Sequence, residues 1–296
     1  MRHAILGAGG VGGLVGAALA HEGDDVTLVL RPETIAEHPG TLALESPFGK
    51  FSVPVKRVTA VAEYFDVLWI AVKATQLEAA LRLVTNNNKD QPGAVVPLLN
   101  GVDHMARLRA RFGEERVIAA AIRVESERVG PGKIEHRSPF VRLSIASAGR
   151  ARLQSAVEKL AKFGFTCQFE DNEATLLWSK LVFLGPFALA TTAAGMTKGE
   201  VASEPAWRRR LESSVREACA VAVASGAKVD PAWVMTFFDG LPAGMRSSMQ
   251  KDVAAGNEPE LDAIAGPILR GAEAHGLKVA VTRELVGMIG KQTSAA

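Results

Sequence analysis

His3-Ala4-Ile5-Leu6-Gly7-Ala8-Gly9-Gly10-Val11-Gly12 runs from a short apolar segment straight into a glycine-rich turn. Behind it Val11, Leu14, Val15, Ala18 and Leu19 recur at i, i+3, i+4, i+7 and i+8, the spacing of an apolar helical stripe ending near Gly23. Strand, turn and helix in that order give the G-x-G-x-x-G pattern its meaning. Gly7 can make the tight turn, Gly9 can let backbone approach a pyrophosphate, and Gly12 can let helix pack on strand, with Ala8, Gly10 and Val11 completing the loop. The helix N-terminus adds N–H groups suited to phosphate. A tight turn with no ligand is the alternative.

Outward from this loop, Val26–Leu30 reads as the next strand, and the residue after it is Arg31. An NAD-binding chain would place Asp or Glu there to hold the ribose 2′-hydroxyl. A guanidinium instead suits a 2′-phosphate through charge-assisted hydrogen bonds, so the cofactor expected is NADPH; the alternative is a solvated strand-end charge. Lys73 ends the apolar run Val67–Val72 and puts a second cation at the same sheet edge. Asn100-Gly101 ends the run Ala94–Leu99 there too, as an amide for nicotinamide or substrate or as a simple turn.

These runs, with a helical segment from Gln76 to Val84, set a βαβ rhythm and predict a parallel sheet. Alternating stretches at Thr41–Thr59 and Val117–Ser147, with turns at Ser46-Pro47-Phe48-Gly49 and Gly130-Pro131-Gly132, are expected as antiparallel additions at the far edge. After Glu170-Asp171-Asn172 the chain becomes alanine-rich and helix-forming. The fold class is therefore α/β: a dinucleotide-binding domain of Rossmann type over residues 1–171, then an all-helical domain over 172–296.

Composition narrows the function. Hydrophobic residues make up 48% and charged residues 22%, and 34 basic against 32 acidic side chains leave +2, with no long run of like charge; nucleic acid is not an expected partner. Arg208-Arg209-Arg210 is the densest basic run and reads as a solvated helix face. Two cysteines, Cys167 and Cys219, with scattered histidines indicate neither disulfides nor a metal site, and fit a reducing cytoplasm. The glycines dilute Ala4–Ala20 as a signal peptide, and Leu181–Thr197, interrupted by Gly185-Pro186, reads as a buried helix rather than a membrane span.

The sequence resembles the ketopantoate reductase (2-dehydropantoate 2-reductase) family from end to end. The resemblance is carried by Gly7–Gly12, Arg31, Val72-Lys73-Ala74-Thr75-Gln76, Asn100-Gly101-Val102 and Pro131-Gly132-Lys133-Ile134, then by Trp178-Ser179-Lys180-Leu181, Ser247-Ser248-Met249-Gln250-Lys251-Asp252 and Glu260-Leu261-Asp262. It implies NADPH and a 2-oxo acid meeting in a cleft between two domains, with reduction to a 2-hydroxy acid, most simply ketopantoate to pantoate in coenzyme A biosynthesis. It implies Lys180 as catalytic lysine, Glu260 as the carboxylate orienting lysine and substrate, Ser248 on the substrate carboxylate and Asn100 at nicotinamide and substrate. Arg31, Lys73 and Gln76 would lie along the adenosine and phosphate side. A lysine suits the chemistry independently, because an ammonium stabilises the developing alkoxide before donating its proton.

The pattern departs from the family where asparagines usually stand four and eight residues after that lysine: this chain has Leu184 and Ala188. Both share a helical face with Lys180 and are expected to line the same wall. Met245 replaces another usual asparagine before the paired serines. A more apolar pocket follows, and with it a reductase of a less polar 2-oxo acid as an alternative. A β-hydroxyacid dehydrogenase and a non-catalytic NADP sensor are the other readings. Oligomeric state is not legible, a homodimer being one option.

Overall fold

The computed structural model describes residues 1–85 and 93–294, and the chain divides into two compact units. One comprises Met1–Leu99 and His104–Asp171; the other comprises Asn100–Asp103 and the chain from Asn172 onward.

The first unit is built from β1 (Arg2–Leu6), α1 (Gly10–His21), β2 (Asp25–Val29), β3 (Thr41–Ser46), β4 (Gly49–Pro54), β5 (Lys56–Val58), β6 (Val67–Ile70), α2 (Leu77–Leu81), β7 (Ala94–Pro97), α3 (His104–Phe112), β8 (Ala120–Arg123), β9 (Ser126–Gly130), β10 (Lys133–His136), β11 (Arg142–Ala146), α4 (Arg150–Phe163) and β12 (Thr166–Glu170). Its centre is a five-stranded sheet, ordered β5-β2-β1-β6-β7, in which every pairing is parallel. Strands β1 and β6 bury every side chain, as a sheet covered on both faces demands, apart from Arg2 at the start of β1.

Of the strands expected as antiparallel additions at the far edge, only β5 joins this sheet, and it pairs in parallel with β2; the others do not. They form two sheets of their own, β4-β3-β10-β9 and β12-β11-β8, the first mixing parallel β3/β10 with antiparallel pairs. The four-stranded sheet covers α1 on the side away from β1 and β2. Helix α1 is therefore buried all round from Gly12 to Leu19, not along one stripe. Alternation within a strand reports which face is covered, but not which sheet the strand joins, so the sequence pattern could not separate these cases. The expected helix Gln76–Val84 is also shorter, a 3₁₀ turn at Ala74–Gln76 followed by α2.

The second unit is helical: α5 (Glu173–Ala194), α6 (Lys198–Ser203), α7 (Pro205–Ala224), α8 (Pro231–Asp239), α9 (Ser248–Ala254), α10 (Leu261–Ala274) and α11 (Ala280–Ser294). Asn172 opens it by capping α5, its side chain accepting from the Thr175 amide at 2.7 Å. Helix α5 starts well before Leu181 and runs through Gly185-Pro186 unbroken. At 22 residues it is long and apolar enough to cross a membrane, yet 61% of its apolar window is buried within the protein. The basic run on α7 is more than a solvated face: Arg208 pairs with Asp239 and Glu212, and Arg210 with Glu284.

One buried polar relay ties β1 to its neighbours. Trp69 Nε1 can only donate, and it reaches His3 Nδ1 at 3.2 Å, leaving His3 Nε2 to donate to Asp24 Oδ2 at 3.0 Å. Lys159 from α4 meets the other Asp24 oxygen at 2.5 Å. Burial holds His3 below the ordinary histidine pKa, outweighing the Asp24 carboxylate. Burial also lowers His38, helped by Arg57 and Arg128, and His136. Burial pushes Asp24 up, but hydrogen bonds from Lys159 and His3 outweigh it and hold the carboxyl below its usual value.

All four shifts act in one direction. Each buried histidine contributes stability that is present above its unfolded pKa of about 6.5 and lost as pH falls toward its lower folded value, at up to about 1.4 kcal/mol per pH unit. Asp24 extends the loss below about pH 4. Urea unfolding between pH 7.5 and 4 is expected to show midpoints falling steadily below pH 6.5; a flat profile would contradict this account.

Candidate active site

The carboxyl ends of β2, β1 and β6 lie side by side in the parallel sheet and bring three predicted elements to one edge. Strand order reverses between β1 and β6, the kind of place where open α/β sheets bind ligands. Gly7 turns the chain at φ +101°, and a Cβ there would lie 2.8 Å from the Ala71 and Val72 backbone. Gly12 meets the Gly7 carbonyl so closely that a Cβ would stand 2.1 Å from its oxygen. At Gly9, by contrast, a Cβ would find nothing within 4 Å. Gly7 and Gly12 are thus required by their contacts with neighbouring backbone, whereas Gly9 opens onto space at the start of α1. Gly10 is closed on the other side by the Ser126 carbonyl, and the Ser126 hydroxyl donates to the Gly10 carbonyl at 2.9 Å. Ala8 and Val11 complete the turn, each partly exposed.

Arg31 follows β2 by two residues, is exposed, and lies 3.7 Å from Glu33. Lys73 begins the 3₁₀ turn after β6, and its carbonyl accepts from the Gln76 amide at 2.9 Å. Sequence reasoning missed Arg57 on edge strand β5, whose guanidinium donates to the Ile35 carbonyl at 3.2 Å and to the His38 carbonyl, pinning the loop that begins with Arg31. A basic residue in a three-residue edge strand carries no motif that would have flagged it.

In the second unit Asn100 and Glu260 meet, the Asn100 amide donating to Glu260 Oε2 at 3.1 Å across 160 residues of sequence. Glu260 is only 7% exposed and stands at the N-cap of α10, where its side chain makes no capping hydrogen bond. Gly101, at φ +83°, lets the segment approach the Ala263 carbonyl, 2.2 Å from where a Cβ would sit. The approach is reinforced by Arg270, which bridges Asp103 at 2.5 Å and Asp262 at 2.7 Å. Asn100-Gly101 is therefore more than a turn: it is seated on the first turn of α10.

Lys180, the eighth residue of α5, is partly exposed, and Leu184 follows one turn on, also partly exposed. Ala188 does not line an open wall. It is fully buried in a cluster with Met249, Ile264 and Ala265, because the packing of α9 and α10 on α5 closes that face one turn beyond Leu184. Ser248 is exposed at the first position of α9, while Ser247 is buried as its cap, accepting from the Gln250 amide at 3.1 Å and from Thr191 at 3.1 Å. Paired serines thus divide into one structural and one accessible hydroxyl, a split that sequence alone did not supply. Met245 is half-buried, and its carbonyl accepts from the Lys198 amide at 2.8 Å.

Among the described residues, no group of three or more His, Cys, Asp or Glu side chains is placed to hold a metal ion. Burial pushes the Cys167 thiol up to about 11 and the Cys219 thiol up to about 12, so neither supplies a thiolate near neutral pH.

The model of the ketopantoate reductase PanE/ApbA family matches residues 3–149, and that of the family's C-terminal portion matches residues 173–292. The 2-dehydropantoate 2-reductase of Caulobacter vibrioides is 27% identical over 292 residues, 97% of each chain. Among solved structures, a PanE/ApbA family ketopantoate reductase from Ralstonia eutropha superposes with a TM-score of 0.87 at 26% identity, covering 100% of this chain and 99% of that one. A D-mandelate dehydrogenase, solved with NADH and anilino(oxo)acetate, shares the fold at a TM-score of 0.87 and 21% identity, with the same coverage.

The different surroundings of the two glycines give a test on the protein alone. Gly12→Ala is expected to destabilise the fold by about 1–3 kcal/mol through overpacking, and Gly9→Ala by no more than about 1 kcal/mol. Chemical denaturation of both variants checks this, and equal losses would remove the distinction.

Proposed function

Because the chain belongs to the ketopantoate reductase family, an oxidoreductase family, we propose that it reduces a 2-oxo acid to a 2-hydroxy acid with NADPH. The observation that carries this reading is the open space over Gly9, flanked in the sheet by the strand ends that lead to Arg31 and Lys73. A dinucleotide fits there. Backbone N–H groups at the start of α1 would take the pyrophosphate, and Arg31 with Lys73 would take the 2′-phosphate, with Gln76 beside them. The bound nicotinamide supplies the hydride for the carbonyl carbon.

The remaining steps belong to side chains of the second unit. Lys180 places its ammonium against the carbonyl oxygen, stabilises the negative charge as it develops and delivers the proton. Glu260 orients that lysine and the substrate, and Asn100 holds the carboxylate in place through the hydrogen bond at 3.1 Å. The exposed Ser248 hydroxyl receives the substrate carboxylate. Leu184 and Met245 offer no amide to a substrate hydroxyl, which favours a 2-oxo acid less polar than 2-dehydropantoate. The two unpaired cysteines support a cytoplasmic setting.

NADPH oxidation is expected with a 2-oxo acid, and Lys180→Ala is expected to lower kcat by about 10²–10⁴-fold. Arg31→Ala should raise KM for NADPH by about ten- to hundredfold while leaving that for NADH nearly unchanged. Comparing kcat/KM for 2-dehydropantoate and 2-oxoisovalerate tests the polarity argument: the two should lie within about 10²-fold, and a preference of several hundredfold for 2-dehydropantoate would defeat it.

A further inference from the structure

The side of α5 that carries Lys180 also carries an aromatic wall. Phe183 and Leu184 stand three and four residues after the lysine, so they are its neighbours on the next turn. Helical side chains lean toward the N-terminus and cover the preceding turn, which directs both toward Lys180. Phe183 is partly exposed, stacks on Phe187 with centroids 5.6 Å apart, and meets Phe237 of α8 edge to face at 4.9 Å. Phe237 stacks in turn on Trp233 at 5.7 Å and 11°. Trp233 is 54% exposed, an indole left half in water beside two further rings that the core does not wholly cover. Met245, like Phe183, packs against the buried core cluster of the helical unit. The side chains that run on from Lys180 through Phe183 to Phe237 and Trp233 thus present ring faces and edges, with no amide among these three rings.

From this continuity we propose that the 2-oxo acid taken by this protein carries an aromatic side chain, packed against Phe183 and Phe237 while its carbonyl lies at Lys180. The proposal rests on the reductase reading and adds the substrate's side-chain class to it. An aromatic group gains ring–ring contact as well as burial there, whereas a short aliphatic chain gains only a little burial and a hydroxylated one leaves its hydroxyl without a partner. Phe183 and Phe237 are the specificity-determining residues in this arrangement. Trp233 positions Phe237 by stacking on it.

The experiment compares kcat/KM for phenylpyruvate and for 2-oxobutyrate, both with NADPH, in the full chain and in Phe183→Leu, Phe237→Ala and Trp233→Ala. The wild-type ratio is expected to favour phenylpyruvate by about ten- to a hundredfold. Phe237→Ala should lower that ratio at least tenfold, chiefly through KM for phenylpyruvate, and Trp233→Ala should lower it severalfold. Trp233 is half exposed, so its variant keeps the test available if a core phenylalanine variant does not fold. A wild-type ratio within threefold of unity overturns the proposal and leaves the reductase reading standing. A strong preference that survives in folded Phe237→Ala and Trp233→Ala overturns it as well. Absence of turnover with these two acids and with 2-dehydropantoate overturns the reductase reading and the proposal together.

Discussion

Helix α1 can lie between two β-sheets only because it lacks Cβ atoms where the neighbouring strands and their side chains press on its backbone. Gly12 sits on the Gly7 carbonyl, Gly13 faces Ile134 of β10, and Gly16 lies among Ile5, Val26 and Leu42. Those contacts press the helix onto β1 and β2 on one side and onto the four-stranded sheet on the other. They also fix where its N-terminus opens, immediately beyond β1 at the carboxyl edge of the parallel sheet. Any side chain at Gly12 would lift the helix from the strand and carry the loop with it, so the packing of the layer and the placing of the glycine turn are a single constraint.

The second unit solves a different problem, that of holding a carboxylate almost out of water. Glu260 is 7% exposed, and a buried carboxylate without donors carries a large desolvation cost. The Asn100 amide meets part of it. Gly101 and the bridge from Arg270 to Asp103 and Asp262 then keep the short segment that carries Asn100 seated on α10. Exposed ion pairs of this kind add little stability individually, so their effect here is geometric.

Much of this was legible in the residues. The order apolar run, glycine turn, apolar helix identified the parallel sheet and the tight turn at its carboxyl edge, because backbone approach there demands glycine at fixed spacing. The resemblance located Lys180, Glu260 and Asn100 in the sequence, and the structure brings the last two into contact. What remained hidden depends on long-range pairing. Alternation in Thr41–Ser46 could not say that β3 would pair in parallel with β10, and helical spacing could not say that Ala188 would be sealed by α9 and α10 while Leu184 stayed open. The roles of Arg57 and Arg270 rest on partners well separated in sequence and leave no local trace.

The reach of the Asn100–Glu260 bond has a consequence for how the chain is made. Its partners are 160 residues apart, and at ribosomal rates of about 5–20 residues per second Asn100 is incorporated roughly 8–32 s before Glu260. The strand before it and the helix after it belong to the first unit, so the intervening four residues must wait as an unclosed loop while their neighbours fold. The helical unit is therefore not a contiguous cassette. Residues 172–296 made alone would lack the amide donor at Glu260, and vectorial synthesis leaves this polar contact among the last that the protein can complete.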